Sequence, residues 1–219
     1  MNFEVITDYL PLYWEAFFLT IKIGWIGILI AFGIGGLASF ASFFKIPVIS
    51  QIVKVYVELF RNTPLLVQLF FIYFGLPKLG LSISAETCGA LGLGLLGGAY
   101  MAEAFRSGLE AVPQSQTESA LALNMGKGQL FRLIVLPQAM TLSLPAVVAN
   151  IIFLLKETSV FSAISLMDLM FTAKDLIGLY YNTTECLVML VVFYILMLTP
   201  VSILGNLVEK KSRFSMFGD

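Results

Sequence analysis

Long apolar runs separated by short polar breaks dominate the chain. The first run covers 17–44, with no acid and a single base, Lys22. The second covers 46–76 and is interrupted by Arg61-Asn62-Thr63-Pro64. Three more follow at 85–105, 139–155 and 186–207. A helix needs about 20 apolar residues to cross a bilayer, and backbone groups in hydrocarbon must be satisfied internally. The pattern therefore predicts an all-α polytopic membrane protein with five transmembrane helices. The first run is too long for a signal peptide and lacks a small-residue cleavage pattern, so it is expected to be retained.

Composition sharpens the picture. Of 219 residues, 58% are hydrophobic and only 12% charged, with mean hydropathy +0.91. Soluble domains carry roughly 25% charge, so soluble enzyme classes drop out. A net charge of −1 offers no basic excess for nucleic acid. Histidine is absent, which removes the commonest haem and zinc ligand. Cys88 and Cys186 both fall near the outer ends of spans, and a disulfide between them is compatible with that depth. The bases set the orientation. With the N-terminus outside, Lys45, Lys54, Arg106, Lys127, Arg132, Lys210, Lys211 and Arg213 fall inside, against Lys78 and Lys174 outside. The leader carries Glu4, Asp8 and Glu15 and no base. The C-terminus is thus expected inside. Glycines cluster in the first span (Gly33, Gly35, Gly36) and the third (Gly89, Gly92, Gly94, Gly97, Gly98). They suit close helix packing, or a third span that leaves room for a path. No Walker spacing occurs, so ATP is not expected to bind here. Five spans cannot form two equal repeats, which points to a pathway between two chains.

The segment 106–137, expected in the cytoplasm, is more ordered than a loose loop. Ser115-Gln116-Thr117-Glu118 reads as a capping box opening a helix from about 116 to 123, with Asn124 and Gly126 as left-handed-tolerant stops. This helix, about 12 Å long, carries Ala120, Leu121, Ala122 and Leu123. It packs either on its own membrane domain or on another protein. A second apolar stretch, 129–136, is expected to stop at Pro137.

Glu118-Ser119-Ala120, Asn124 and Ile134-Val135-Leu136-Pro137 resemble the EAA loop of bacterial ABC importer permeases, with Ser119 for Ala and Asn124 for Gly. Phe60 to Gln68, Ala99-Tyr100-Met101-Ala102-Glu103-Ala104-Phe105-Arg106 and Leu155-Lys156-Glu157-Thr158-Ser159 resemble motifs of the polar amino-acid branch. The resemblance implies a type I importer permease in the bacterial inner membrane. Glu118, Ser119, Ala120, Leu123, Asn124 and Gly126 would form a coupling helix that docks on a cytoplasmic ATPase dimer. ATP and magnesium would belong to that partner, and this chain would hold no cofactor. A second permease subunit and a periplasmic or lipid-anchored amino-acid-binding protein would complete the assembly among membrane lipids.

Charges at membrane depth are costly and mark function or pairing. Lys22, Glu58, Arg61, Glu103, Lys156 and Glu157 balance by sign. They either pair internally or line a polar cavity for an amino acid. On the second reading Glu103 faces the substrate cation, Arg61, Asn62 and Thr63 break the second span and line the site, Tyr100 belongs to the same pathway, and Lys156, Glu157, Thr158 and Ser159 form an outer gate or entry contact. A self-contained secondary carrier or channel, and a structural subunit of an unrelated complex, are the competing readings.

Overall fold

The computed structural model describes residues 3–217, the side chains of 213 and 215–217 excepted. The Arg213 side chain, one of the inner bases counted above, therefore lies outside the described set. Among the described residues there is no strand. Four helical stretches are long and apolar enough to cross a membrane: Phe3–Phe43, Ala85–Glu110, Lys127–Ile164 and Thr183–Ser212. A fifth is the bent pair Ile49–Arg61 and Leu65–Leu79, which turns through 105°. The chain is thus all-helical with four to five membrane helices.

Helix α1 (Phe3–Phe43) begins well before the apolar run and carries Pro11 inside it. Next come α2 (Ile49–Arg61) and α3 (Leu65–Phe70), then a π segment Phe71–Gly75 and a 3-10 turn Leu76–Leu79. Helix α4 (Ala85–Glu110) is the centre of the bundle, and its longest interface is with α1. Small residues make that interface close. A Cβ on Gly35 would lie 2.9 Å from the Ala102 backbone nitrogen, and one on Gly108 would lie 2.5 Å from the Ala139 carbonyl oxygen of α7. Without side chains at these points the backbones approach directly. Gly94, Gly97 and Gly98 meet Ile30, Ala31 and Ile34 in the same way, so the third-span glycines serve packing. Gly33 and Gly36 have nothing within 4 Å.

The short helices α5 (Gln114–Ala122) and α6 (Lys127–Leu130) precede a second π segment, Phe131–Val135. Helix α7 (Leu136–Glu157) follows without a break. Pro137 was expected to stop this stretch; instead it occupies the first turn of α7. The Leu136 amide bonds back five residues to Phe131. That wider turn moves the carbonyl that a proline ring would strike in a regular helix. The same sequence of a five-residue π segment and then Leu-Pro recurs at Phe71–Gly75 and Leu76-Pro77.

After α7 the chain makes a 3-10 turn, Thr158–Ile164, then α8 (Leu169–Tyr180) and α9 (Thr183–Phe217). Helix α8 lies in what the apolar pattern left as a connection. Its cap is Asp168, fully buried, which accepts hydrogen bonds from the Phe171 and Met170 amides. Burial pushes the Asp168 carboxyl up to about 7, against the pull of those amides and of Lys174. The Leu169 amide donates to Thr20 Oγ1 of α1. Tyr13 Oη donates to the Cys186 carbonyl at 2.8 Å and Asn182 Nδ2 donates to Tyr9 Oη at 2.9 Å, tying the start of α1 to α9. Cys88 and Cys186 are both free and buried, so the disulfide that depth alone would permit is not formed. At the far end of α1, Phe40, Phe43 and Phe44 gather around Phe131 at centroid distances of 5.0–6.0 Å.

Candidate functional site

Tyr100, Glu103, Arg106 and Glu110 recur at helical spacing and share one face of α4. Arg106 donates to Glu103 and, at 2.6 Å, to Glu110. Helix α2 brings Arg61 to the same face, where its guanidinium lies 5.3 Å from the centre of the Tyr100 ring. Its Nη1 is 3.8 Å from Glu103 Oε2, the outer edge of an ion pair. Glu103, the expected contact for a substrate cation, stands between two guanidiniums and is ion-paired with the nearer, Arg106.

The break after α2 is satisfied from within. Pro64 has no amide to donate, which frees carbonyls at the end of α2. Asn62 Nδ2 donates to the Glu58 carbonyl at 2.7 Å and Thr63 Oγ1 to the Leu59 carbonyl at 2.9 Å. Gln68, buried on α3, reaches back across the bend. Its Nε2 donates to the carbonyls of Phe60 and Thr63 and to Thr63 Oγ1 at 2.9–3.1 Å. No role fell to Gln68 in the sequence, although a glutamine four residues after the proline was the signal. Thr63 is thus engaged by the bend, and Asn62 keeps its carbonyl oxygen open.

Two cavities meet at Arg61, Asn62 and Tyr100. One, of about 630 Å³, lies between α2 and α4 and is bordered by Lys54, Glu58, Glu103 and Arg106. The other, of about 530 Å³, is bordered by Pro64, Leu96, Phe153 and Glu157. Asn150 Nδ2 donates to the Tyr100 carbonyl and ties α7 to this wall. Of the four residues expected at an outer gate or entry contact, Glu157 borders the smaller of these two cavities. Lys156 is exposed elsewhere; Thr158 is fully buried and donates to the Leu155 carbonyl; Ser159 lies in the turn beyond. Lys22 is not part of the site and pairs with Glu86 at 2.9 Å.

The second candidate region joins α4 to α7. Helix α5 starts two residues earlier than the capping box implies. Pro113 stands at its N-cap with no side-chain cap, so Ser115 is already inside the first turn and caps nothing. Gln114 Nε2 donates to Glu118 Oε1 at 2.9 Å instead. The helix ends as a Schellman motif. Asn124 adopts φ +57°, its amide donates to the Leu121 carbonyl, and the Met125 amide donates to the Ala120 carbonyl. Gly126 has an ordinary φ of −67° and caps α6, its amide donating to Gln129 Oε1. Ala120 is buried, while Glu118, Ser119, Leu121, Leu123 and Asn124 are exposed. Leu123 is 79% exposed, an unusual state for leucine in a structured turn.

With this geometry in place, comparison with known proteins gives a consistent answer. The family model for the inner membrane component of binding-protein-dependent transport systems matches residues 27–214. The chain is 31% identical over 214 residues to the arginine transport system permease protein ArtQ of Bacillus subtilis, covering 97% of this chain and 98% of that one. It is 38% identical over 169 residues to a probable amino-acid permease protein, YxeN, of the same organism, covering 76% and 75%. A solved chain from the crystal structure of an amino acid ABC transporter with histidines superimposes with a TM-score of 0.90 at 32% identity, covering 96% of this chain and 99% of that one. A chain of the inward-facing MetNI methionine ABC transporter shares the fold at 18% identity with a TM-score of 0.80. The chain belongs to the family of inner membrane components of binding-protein-dependent transport systems.

Proposed function

We propose that this chain is the membrane-spanning permease subunit of an ATP-driven importer of polar amino acids. The observation that carries the reading is a charged cluster, Arg61, Glu103 and Arg106, bordering a cavity inside an otherwise apolar bundle, in a chain of this family. The whole chain acts as one permease domain with five spans, its N-terminus outside and its C-terminus inside. Segment 106–137 faces the cytoplasm. There α5 acts as the coupling helix and presents Glu118, Ser119, Leu123 and Asn124 to an ATPase subunit, with Ala120 as its inner support and Gly126 opening the following turn. A helix closed by a Schellman turn passes displacement on without fraying, which suits it to this task.

The permease performs no chemistry of its own. Two ATPase subunits hold ATP and magnesium, and their closure moves the spans through α5. A second permease, the same chain or a related one, completes the pathway. A periplasmic or lipid-anchored binding protein delivers the amino acid. Arg61, Asn62, Thr63, Tyr100, Glu103, Lys156, Glu157, Thr158 and Ser159 mark the pathway region, with Arg61 and Tyr100 at its centre. Relatives whose names specify glutamine, arginine and cystine support polar amino acids as the substrate class.

The test is reconstitution with the ATPase and the binding protein in liposomes. Uptake of a polar amino acid that requires both partners and ATP is expected. Uptake by this chain alone would replace the reading with a self-contained carrier.

A further inference from the structure

Apart from the charged cavities, the bundle carries an apolar slot between the end of α1 and α2. Ala38 and Ala41, both nearly buried, form its floor, and Leu37 and Ile52, 76% and 62% exposed, form its rims. Away from the α1–α2 turn, Tyr56 offers the slot only its ring, because its hydroxyl donates to the Leu95 carbonyl of α4 at 2.6 Å. The slot follows α1 for about 10 Å. Its volume of about 290 Å³ takes a hydrocarbon chain and is too narrow to admit a helix about 10–12 Å across. Bases collect at its other end. There the turn folds against the mouth of the slot, with the Ile46 amide donating to the Ala41 carbonyl at 3.1 Å and the Ser50 amide to the Ile46 carbonyl at 3.0 Å. Lys45 stands exposed in this turn. Phe131 lies against Phe40, Phe43 and Phe44, which brings the segment with Lys127 and Arg132, both exposed, alongside. None of the three bases has an ion-pair partner among the described residues. No acid occurs between Glu15 and Glu58 or between Glu118 and Glu157.

We propose that this slot holds one acyl chain of an anionic phospholipid, whose headgroup lies among Lys45, Lys127 and Arg132. The apolar walls receive the chain, and basic pockets between membrane helices take anionic headgroups. A zwitterionic headgroup would bring its own ammonium to three bases with no acid to receive it. A second copy meeting the same patch about a two-fold axis would set those bases against their counterparts. The headgroup bridges the α1–α2 turn and the segment that follows α5, so the lipid holds that segment against the bundle. The site lies outside the substrate pathway. It rests on the proposed orientation only for its leaflet, which is the cytoplasmic one.

The experiment uses the complete transporter, purified with its ATPase and stripped of lipid in detergent. The probe is phosphatidylglycerol with a photoreactive group in one acyl chain. Crosslinks to peptides spanning 34–41 and 49–56 are expected. Unlabelled phosphatidylglycerol should compete them away at a concentration at least about tenfold below that needed with phosphatidylcholine. Lys45→Gln, Lys127→Gln and Arg132→Gln should each weaken competition by phosphatidylglycerol about fivefold and leave that by phosphatidylcholine unchanged. Ala38→Leu raises the floor of the slot and should cut crosslinking of these peptides severalfold. Co-purification of the ATPase identifies any variant that fails to assemble, and the three charge variants, all on exposed side chains, carry the test if Ala38→Leu does. Equal competition by the two lipids, or charge variants that behave as wild type, would overturn the proposal. So would crosslinks that join these peptides to a second permease copy and leave no lipid labelling. Labelling of Lys127→Cys from outside intact cells would overturn the proposed orientation instead and leave the headgroup site standing.

Discussion

Asp168 sits at the start of α8 with no exposure and two amides on its carboxylate. In the native state its proton is held up to about pH 7, whereas the free side chain releases it near 3.8. Between those values the folded protein binds the extra proton, so stability falls as pH rises through that window and levels off above it. Lys174 opposes the shift. Asp168→Asn keeps a good cap and removes the titration. Its melting temperature in detergent should therefore change less between pH 5 and pH 8 than that of the wild type. Asp168→Ala should lose the cap at both pH values, about 1 kcal/mol, or roughly 2–4 °C in a chain of this size. Asp168 was legible as an acid before an apolar stretch, yet Ser165-Leu166-Met167-Asp168 reads as a connection because its burial depends on α1. The charges in the spans show the same limit. Glu103 and Arg106 stand three apart and their pairing is readable from the helix, but the approach of Arg61 depends on how α2 folds across α4.

Individual elements show where local sequence rules hold and where they give way. The break at Asn62–Pro64 follows from proline chemistry, whereas its 105° angle follows from Gln68 bonding back to Phe60 and Thr63. Ser115 and Glu118 have the spacing of a capping box, but Pro113, with its fixed φ, starts α5 first. Asn124 does what its residue type suggests and takes the left-handed turn that closes α5. That turn has a testable role. Asn124→Gly should preserve it, and ATPase co-purification and uptake should stay near wild type. Asn124→Val places a β-branched residue at positive φ, a cost of about 1–2 kcal/mol or more at this one position. Uptake should then fall severalfold, with ATPase binding weakened in proportion. Equal activity of the two variants would mean that the shape of this turn is irrelevant to coupling.

At the scale of the molecule, five apolar runs and the uneven distribution of bases define an arrangement in the membrane. Helix α8 and the extension of α1 ahead of residue 17 escape that pattern. The first is too short to cross, and the second mixes Glu4, Asp8 and Glu15 with apolar residues that pack on α8 and α9 only in three dimensions. The arrangement is checked by single cysteines in a Cys88→Ala, Cys186→Ala background. Asp8→Cys in intact cells should react with a membrane-impermeant maleimide. Lys127→Cys should react only after the membrane is opened. The reverse pattern would invert the whole assignment, including the side on which α5 meets its partner.

The length of α1 has a mechanical side. Beyond Pro11 it still runs 32 residues without another proline, about 48 Å, well past the roughly 30 Å of a hydrocarbon core. One extremity is moored to Cys186 through Tyr13, and the opposite extremity is wedged by aromatic rings against Phe131, next door to α5 and α6. A stiff rod held at both tips passes a push at one to the other, so the two faces of the membrane are joined by a single strut.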